Sequence, residues 1–244
     1  YNNVGTVSIT GTALTDTDPS HYCNPETPGI DIKKYTNGAD ADNANGVDVP
    51  KIAPNGGIVW TYIVTNTGNV PFLKASVVVT DNRGVAVTFD KVLVGNGDET
   101  LDPGERWQYK ATGNALTLVA GGGAYVVNGC QTGDNLYRPT YNNVGTVSIT
   151  GYNVSDNDPS HYCNPETPGI DIKKYTNGAD ADNPTGSDVP KIAPNGAIEW
   201  TYVVSNTGNV PFPKSKVVVT DNRGVTVSFD KTLVENDSNA DVFS

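Results

Sequence analysis

The stretch IVWTYIVTN, residues 58–66, alternates large apolar and β-branched residues in the way that a β-strand requires. Trp60, Tyr62 and Val64 would share one face of such a strand, and the intervening residues would share the other, because successive side chains of a strand point to opposite faces. No part of the chain shows a sustained helical period. The pattern therefore predicts a half-buried strand in an all-β protein.

Further strand signals lie on both sides of this stretch at short intervals, separated by turn sequences rich in Gly, Asn and Pro such as PNGG, DNRG and LDPGE. They cover residues 30–35, 75–81, 85–89, 105–112, 115–118 with 124–127, and 143–150. About seven short strands of this kind are typical of an immunoglobulin-like or prealbumin-like β-sandwich.

The chain repeats itself with a period of about 140 residues, since YNNVGTVSIT occurs at residues 1–10 and again at 141–150. Residues 1–94 and 141–234 are about 80% identical, and a period of this length indicates tandem whole domains. The polar, Pro-rich phrase DPSHYCNPETPG, at 18–29 and 158–169, is interpreted as a domain boundary. The predicted units are the last strand of a preceding repeat (1–23), a complete sandwich (24–163) and the front of an incomplete one (164–244).

The composition and motifs of the chain limit the classes of function that are expected. The net charge of −11 argues against nucleic acid as a partner and favours cations, above all calcium. No stretch of about 18 consecutive apolar residues is present, so no transmembrane segment is expected. Catalytic motifs such as G-x-S-x-G and H-E-x-x-H are absent, and only two histidines occur. An enzyme is therefore not expected.

Several phrases taken together carry a family resemblance: IDIKKYTNGADAD, KIAPNG, WTYIVTNTGNVPF, VVVTDNRGV, LDPGE and GTVSITG. This combination resembles the DUF11-like and prealbumin-like (SdrD B-type) repeat domains of bacterial and archaeal surface proteins, and the likeness covers nearly the whole chain. It implies an extracellular, non-enzymatic module strung in arrays as a stalk, adhesin or cell-envelope fibre. It names no ligand.

Three cysteines, Cys23, Cys130 and Cys163, form an odd set in which Cys23 and Cys163 are one period apart. Within the complete unit the available pair is Cys130 and Cys163, so a disulfide is predicted there, with Cys23 pairing to a preceding unit. Such a bond suits an oxidising exterior. The alternatives are buried free thiols or a metal site, although no C-x-x-C spacing supports the latter.

Two kinds of acidic loop offer the hard oxygen ligands that calcium prefers. The first is DADNANGVD with its copy DADNPTGSD, which supply Asp40, Asp42, Asp48, Asp180, Asp182 and Asp188. The second is NGDETLDPGE with the related DSNAD, which supply Asn96, Asp98, Asp102, Glu105, Asp237, Asn239 and Asp241. The alternative interpretation is a set of solvated acidic turns.

Surface domains of the kind resembled here sometimes carry a Lys–Asn isopeptide bond between their first and last strands, with a buried acid as catalyst. Strand phase points to Lys34, which shares a face with Ile30 and Ile32, to Asn143, and to Asp81. A buried lysine would need a partner, because a lone ammonium is costly to bury. The alternative, favoured by a position near a strand end, is that Lys34 extends its stem to solvent.

The predicted function is structural: a surface stalk or self-assembling fibre stiffened by disulfides and by calcium, with neighbouring copies of the repeat as partners. The alternative is an adhesin segment that binds a glycan or a cell-surface protein through its loops. N-glycosylation sequons occur at Asn153 and Asn236. Residues 1–23 could also complete a neighbouring subunit by strand addition, or both ends could lie inside a longer array.

Overall fold

The computed structural model describes residues 1–119, 123, 126–231 and 242–243, which form β-strands joined by turns and two short 3₁₀ segments. All pairings between the described strands are antiparallel. The expected all-β class is confirmed, and the arrangement is consistent with a β-sandwich. The strands are β1 (Asn2–Ser8), β2 (Thr15–His21), β3 (Ile30–Thr36), β4 (Gly57–Asn66), β5 (Phe72–Leu73), β6 (Val77–Asp81), β7 (Thr88–Val94), β8 (Thr100–Leu101), β9 (Arg106–Asn114), β10 (Val126–Gln131), β11 (Tyr137–Ile149), β12 (Ser155–Cys163), β13 (Ile170–Thr176), β14 (Trp200–Asn206), β15 (Phe212–Pro213) and β16 (Val242–Phe243).

Residues 24–163 contain two four-stranded sheets. One has the order β3-β4-β9-β7, and the other has the order β10-β11-β12 with β6 also paired to β11. The long strand β11 holds the second sheet together. On one edge its first part pairs with β10 and its second part pairs with β6, and its opposite edge pairs with β12. The strands β5 and β8 form a separate two-residue pairing.

The hydrophobic core lies between these two sheets. The alternation in β4 is confirmed, since Trp60, Tyr62 and Val64 are all buried on one face. Val147 and Ile149 of β11 belong to the same cluster of buried apolar side chains. Burial of apolar surface from both sheets in one cluster is the main stabilising term of this unit.

One predicted strand is wrong. Residues 115–118 form no strand. The Ala115 N–H donates to the Gly56 carbonyl (2.8 Å), and side chains accept from the N–H groups of Leu116 and Leu118. The Leu116 N–H donates to the Tyr162 hydroxyl (2.9 Å), and the Leu118 N–H donates to Asn164 Oδ1 (2.8 Å). The neighbouring prediction at 124–127 lies partly outside the described residues, and the segment at 85–89 starts its strand only at Thr88.

The interpretation of residues 158–169 as a boundary is also wrong for its first six residues, which belong to β12. Pro159 is compatible with this position because β12 is an edge strand of its ladder and needs no donor on its outer side. The outer side instead meets β3 through carboxylates: Asp156 Oδ2 accepts from the Ile32 N–H (2.9 Å), and Asp158 Oδ2 accepts from the Lys34 N–H (2.6 Å).

The remaining strands form two-stranded ladders outside these sheets. In the β1–β2 hairpin all residues of both strands are exposed. Strands β13 and β14 pair from Ile170↔Asn206 to Thr176↔Trp200. This is the register of β3 and β4 moved along the chain by one repeat period.

Candidate covalent cross-link site

Lys34 lies on the inner face of β3, which it shares with Ile32 and Thr36. Its side chain has no exposed surface. The Nζ atom donates a hydrogen bond to the main-chain carbonyl of Asn143 in β11 (3.2 Å), so the side chain crosses from one sheet to the other. The interpretation that Lys34 reaches solvent along its stem is therefore wrong.

Asp81, the last residue of β6, faces this ammonium from the second sheet. Its side chain is also fully buried, and its Oδ2 atom lies 3.8 Å from Lys34 Nζ. The Tyr62 hydroxyl donates to the same oxygen (2.5 Å), and the Arg83 N–H donates to Oδ1 (2.8 Å). These two donors hold the carboxylate in place and leave Oδ2 directed at the lysine.

Asn143 is the third member of the cluster. It has no exposed surface, and among the described residues neither its Oδ1 nor its Nδ2 has a hydrogen-bond partner. A buried polar group left without a partner costs about 1–3 kcal/mol, so an asparagine is a poor structural choice here.

The walls of the site are aromatic and tightly packed. Lys34 Nζ lies 5.8 Å from the ring centroids of both Trp60 and Tyr62. A Cβ atom at Gly145 would lie 2.7 Å from the Tyr62 ring and 3.2 Å from Lys34 Cδ. Glycine therefore lets β11 approach the lysine, and the closed packing keeps bulk water out.

This environment changes the proton affinity of the two groups beside Asp81. Burial lowers the pKa of Lys34 from 10.5 to about 7, although the charges of Asp81 and Asp158 act in the opposite direction. A large fraction of the lysine is then the neutral, nucleophilic amine at neutral pH. Burial and the hydrogen bond to Asp81 raise the pKa of Tyr62, so its hydroxyl stays protonated as a donor.

The predicted disulfide between Cys130 and Cys163 is present, with a Cα–Cα distance of 6.4 Å. It lies in a small buried cluster with Ala41 and Val49. Closing a loop with a sequence separation of 33 stabilises the fold by about 3–4 kcal/mol in the chain-entropy model. Cys23 is exposed and free, and its pairing with a preceding unit stays a prediction.

The first acidic loop is only partly assembled as expected. Asp40 and Asp42 lie together, but their third neighbour is Asp158 of β12, with the carboxylate oxygens all within 4.8 Å of one another. Asp48 instead accepts a hydrogen bond from the Ala41 N–H (2.8 Å). Lys33 Nζ lies 3.2 Å from Asp158 and 3.7 Å from Asp42, so an ammonium already neutralises part of the cluster.

The copy of this loop follows the same pattern. Asp188 Oδ2 accepts from the Ala181 N–H (3.0 Å), and Asp182 pairs with Lys173 (4.0 Å). Asp180 lies near them in the chain and, like Asp40, is exposed.

The second acidic loop is closed by its own hydrogen bonds. Glu105 is buried and accepts from the main-chain N–H groups of Asn96 (2.8 Å) and Asp102 (3.4 Å). Asn96 Nδ2 donates to Asp98 Oδ2 (2.9 Å). Within the described part of the chain, a group of three carboxylates occurs only where Asp158 of β12 joins Asp40 and Asp42 of the first loop. The predicted ligands Asp237, Asn239 and Asp241 lie outside the described residues.

Asn153 is exposed at the turn between β11 and β12, where a glycan would have room. Asn236 lies outside the described residues. Sequence reasoning misses two residues of the site: Tyr62, which the pattern assigns only to the strand face, and Asp158, which it assigns to a boundary. The alternation that places Tyr62 on the same face as Trp60 could have pointed to Tyr62. No feature of the sequence points to Asp158.

Comparison with known proteins adds nothing to this geometry. No family model, curated protein or solved structure matches this chain. The residues of the site themselves therefore carry the functional conclusion. Within the described ranges, no helix is long and apolar enough to cross a bilayer.

Proposed function

We propose that this chain is a structural module of an extracellular fibre or surface stalk, locked by an isopeptide bond between Lys34 and Asn143. The observation that supports this proposal is the buried cluster of lysine, unpartnered asparagine and aspartate between the two sheets. The tandem repetition of the sequence and the near-identity of its copies favour a spacing or tensile role, with neighbouring copies as partners.

The bond forms by exchange of one amide nitrogen for another. The neutral Nζ of Lys34 attacks Cγ of Asn143, and the bond between Cγ and Nδ2 breaks. Asp81 accepts the proton that the attacking nitrogen loses and donates it to Nδ2, which leaves as ammonia. Tyr62 holds Asp81 in position through its hydroxyl. The products are a secondary amide and ammonia, with no change in oxidation state.

The position of this bond suits a load-bearing module. It ties β3, the first strand of the two sheets, to β11, which lies 109 residues further along the chain. The disulfide joins β10 to the end of β12 in the same sheet. Together the two bonds enclose most of residues 24–163, so tension applied at the ends would meet covalent rather than hydrogen-bonded connections. The disulfide suits an oxidising exterior.

The mass of the intact protein tests this proposal. The wild-type monomer is expected to be lighter than its sequence by one ammonia for the isopeptide bond and by two hydrogens for the disulfide. Lys34→Ala should retain only the deficit of two hydrogens, whereas Lys33→Ala, changed at the neighbouring outward position, should retain both. A wild-type mass that shows the disulfide deficit alone would reject the bond.

A pH dependence follows from the lowered pKa of Lys34, and it should appear only where the bond is missing. In Asn143→Ala, the folded protein releases the lysine proton near pH 7, while the unfolded chain keeps it up to about pH 10.5. The unfolded state then binds more protons, so the free energy of unfolding rises between pH 7 and about 9.5, by at most about 1.4 kcal/mol per pH unit. In the wild type the lysine nitrogen is an amide and does not titrate.

Guanidinium unfolding of both proteins at several pH values in this window measures the difference. All other titrating groups are shared and cancel in the comparison. Equal slopes for the wild type and Asn143→Ala would contradict the assignment of Lys34 as the reacting lysine.

Calcium binding remains part of the proposal, and the geometry favours Asp40, Asp42 and Asp158. Burial, followed by the neighbouring charges of Asp158 and Asp40, raises the pKa of Asp42, although the Lys33 ammonium acts in the opposite direction. Calcium is expected to raise the melting temperature, and Asp40→Asn with Asp42→Asn should abolish that shift. Lys33→Ala should increase it, because the ammonium no longer competes. Calorimetry that detects no binding to the wild type or to Lys33→Ala would exclude this site.

A further inference from the structure

The β1–β2 hairpin is an unburied copy of a structure that is buried elsewhere in the same chain. Residues 1–10 are identical to 141–150, and the register that begins Asn2↔His21 is that of Asn142↔His161 in β11 and β12. In β11, Val147 and Ile149 are fully buried. Their copies Val7 and Ile9 are 58% and 54% exposed. The hairpin therefore exposes apolar side chains whose copies in β11 are buried in the core.

The ladder of β13 and β14 also has an exposed apolar face, although the equivalent face of β3 and β4 is buried. Ile32 and Trp60 are 1% and 3% exposed, whereas their copies Ile172 and Trp200 are 52% and 36% exposed. In residues 24–163, the face of β3 and β4 is covered by β11 and β12. Nothing among the described residues covers the equivalent face of β13 and β14, so its apolar side chains remain in water.

Polar groups on the two free surfaces match as well. In residues 24–163, Asp156 and Asp158 accept from the main-chain N–H groups of β3, and Ser160 bonds to Thr36 (2.6 Å). The same residue types stand one repeat period away on the free surfaces. Asp16, Asp18 and Ser20 lie on β2, while Ile172, Lys174 and Thr176 lie on β13. Docking the copies as the originals dock would satisfy all three contacts.

The reactive residues are divided between the same two surfaces. Lys174 Nζ lies 2.6 Å from Asp221 Oδ2, and the Tyr202 hydroxyl donates to that oxygen (2.6 Å), which reproduces the arrangement around Asp81. Lys174 is 43% exposed, because no described strand covers it. The copy of Asn143 is Asn3, on the exposed hairpin.

From these matches we infer that the β1–β2 hairpin of one copy docks onto the β13–β14 ladder of a second copy, where Asn3 reaches Lys174 and forms an isopeptide bond between the two chains. Each surface matches, residue by residue, a surface that this same chain carries, and this match points to a second copy as the occupant. The contact is head-to-tail, and such contacts extend into open filaments unless they close into a ring. The covalent step rests on the function proposed above and follows the same exchange of amide for amine with release of ammonia. The docking step does not depend on it.

Two variants test the docking, and each has one of the two surfaces blocked by a charged side chain. Val7→Asp places a charge on the donor hairpin, and Ile172→Asp places one on the acceptor ladder. Both side chains are exposed in the isolated chain, so neither change disturbs its core. All proteins carry Cys23→Ser to prevent adventitious disulfides through the exposed thiol.

Light scattering after size exclusion should show oligomers for the unblocked chain and monomers for each blocked variant alone. An equimolar mixture of the two variants should give a dimer, since each supplies the surface that the other lacks. An unblocked chain that stays monomeric at its highest soluble concentration would overturn the inference. So would blocked variants that still polymerise, because another surface would then be responsible.

Denaturing electrophoresis under reducing conditions tests the covalent step separately. The unblocked chain should give a ladder in which each junction is lighter by one ammonia. Asn3→Ala should assemble but dissociate in detergent, whereas Asn2→Ala, changed on the neighbouring position, should keep the ladder. Oligomers that dissociate although Lys34 and Asn143 are joined would overturn the inter-chain bond. Oligomers that dissociate with Lys34 and Asn143 also unjoined would place the failure in the proposed function.

Discussion

Replacing Asn143 by alanine is expected to lower the free energy of unfolding of the cross-linked protein by about 4–5 kcal/mol. The proposed bond between Lys34 and Asn143 would close a loop with a sequence separation of 109 residues, and its removal would return that conformational entropy to the unfolded chain. For a unit of this size the melting temperature should fall by about 10–20 °C. Differential scanning calorimetry measures both quantities.

The matched control for this prediction is Asn142→Ala. Asn142 precedes Asn143 in β11, and its side chain lies on the opposite face and is half-buried. Its removal should change stability by no more than about 0.5 kcal/mol. If both alanine variants melt at the wild-type temperature, Asn143 carries no cross-link. If both are equally destabilised, the loss comes from strand packing and not from the bond.

Asp81→Asn is expected to leave Lys34 and Asn143 unjoined although both are present. The substitution preserves the shape of the side chain and its contact with Tyr62, but it removes the group that accepts a proton 3.8 Å from Lys34 Nζ. General acid–base catalysis contributes about 100- to 10,000-fold to rates of this kind, so the bond should form at least about 100-fold more slowly. Mass spectra recorded at intervals after refolding follow the loss of ammonia directly.

Tyr62→Phe separates the catalytic role of Asp81 from its positioning. The phenylalanine keeps the ring that packs on Lys34 and removes only the hydroxyl that holds Asp81. This variant should reach the full mass deficit more slowly than the wild type and faster than Asp81→Asn. Loss of ammonia at the wild-type rate in Asp81→Asn would show that another group moves the proton.

Sequence pattern predicted part of the site, and the reason lies in the period of a strand. Because side chains alternate strictly, the apolar neighbours of Lys34, Asn143 and Asp81 were enough to place all three on inward faces. The pattern could not distinguish a buried lysine from one whose stem reaches solvent, since that depends on which strand passes overhead. The strand that passes overhead is β11, and its glycine at position 145 is what lets it come close.

Strand β12 is an element that the sequence pattern did not predict. Its sequence SDNDPSHYC is polar, charged and interrupted by proline, which is typical of a turn and not of a strand. It forms a strand because β11 offers a complete edge to pair with, and because its aspartates take the main-chain donors of β3. The β3 donors lie more than 100 residues away in the chain, so no local signal could reveal them.

By itself, the sequence determined the repeat period, and it predicted the all-β class, the disulfide between Cys130 and Cys163 and the inward phase of Lys34, Asn143 and Asp81. These follow from alternation, identity and count, which are local or arithmetic properties of the chain. Only the tertiary structure decided that Lys34 is enclosed while its copy Lys174 is exposed, although the two stand in nearly identical sequences. The difference is whether a β11–β12 pair covers the face, because burial is a property of what packs against a strand and not of the strand's own residues.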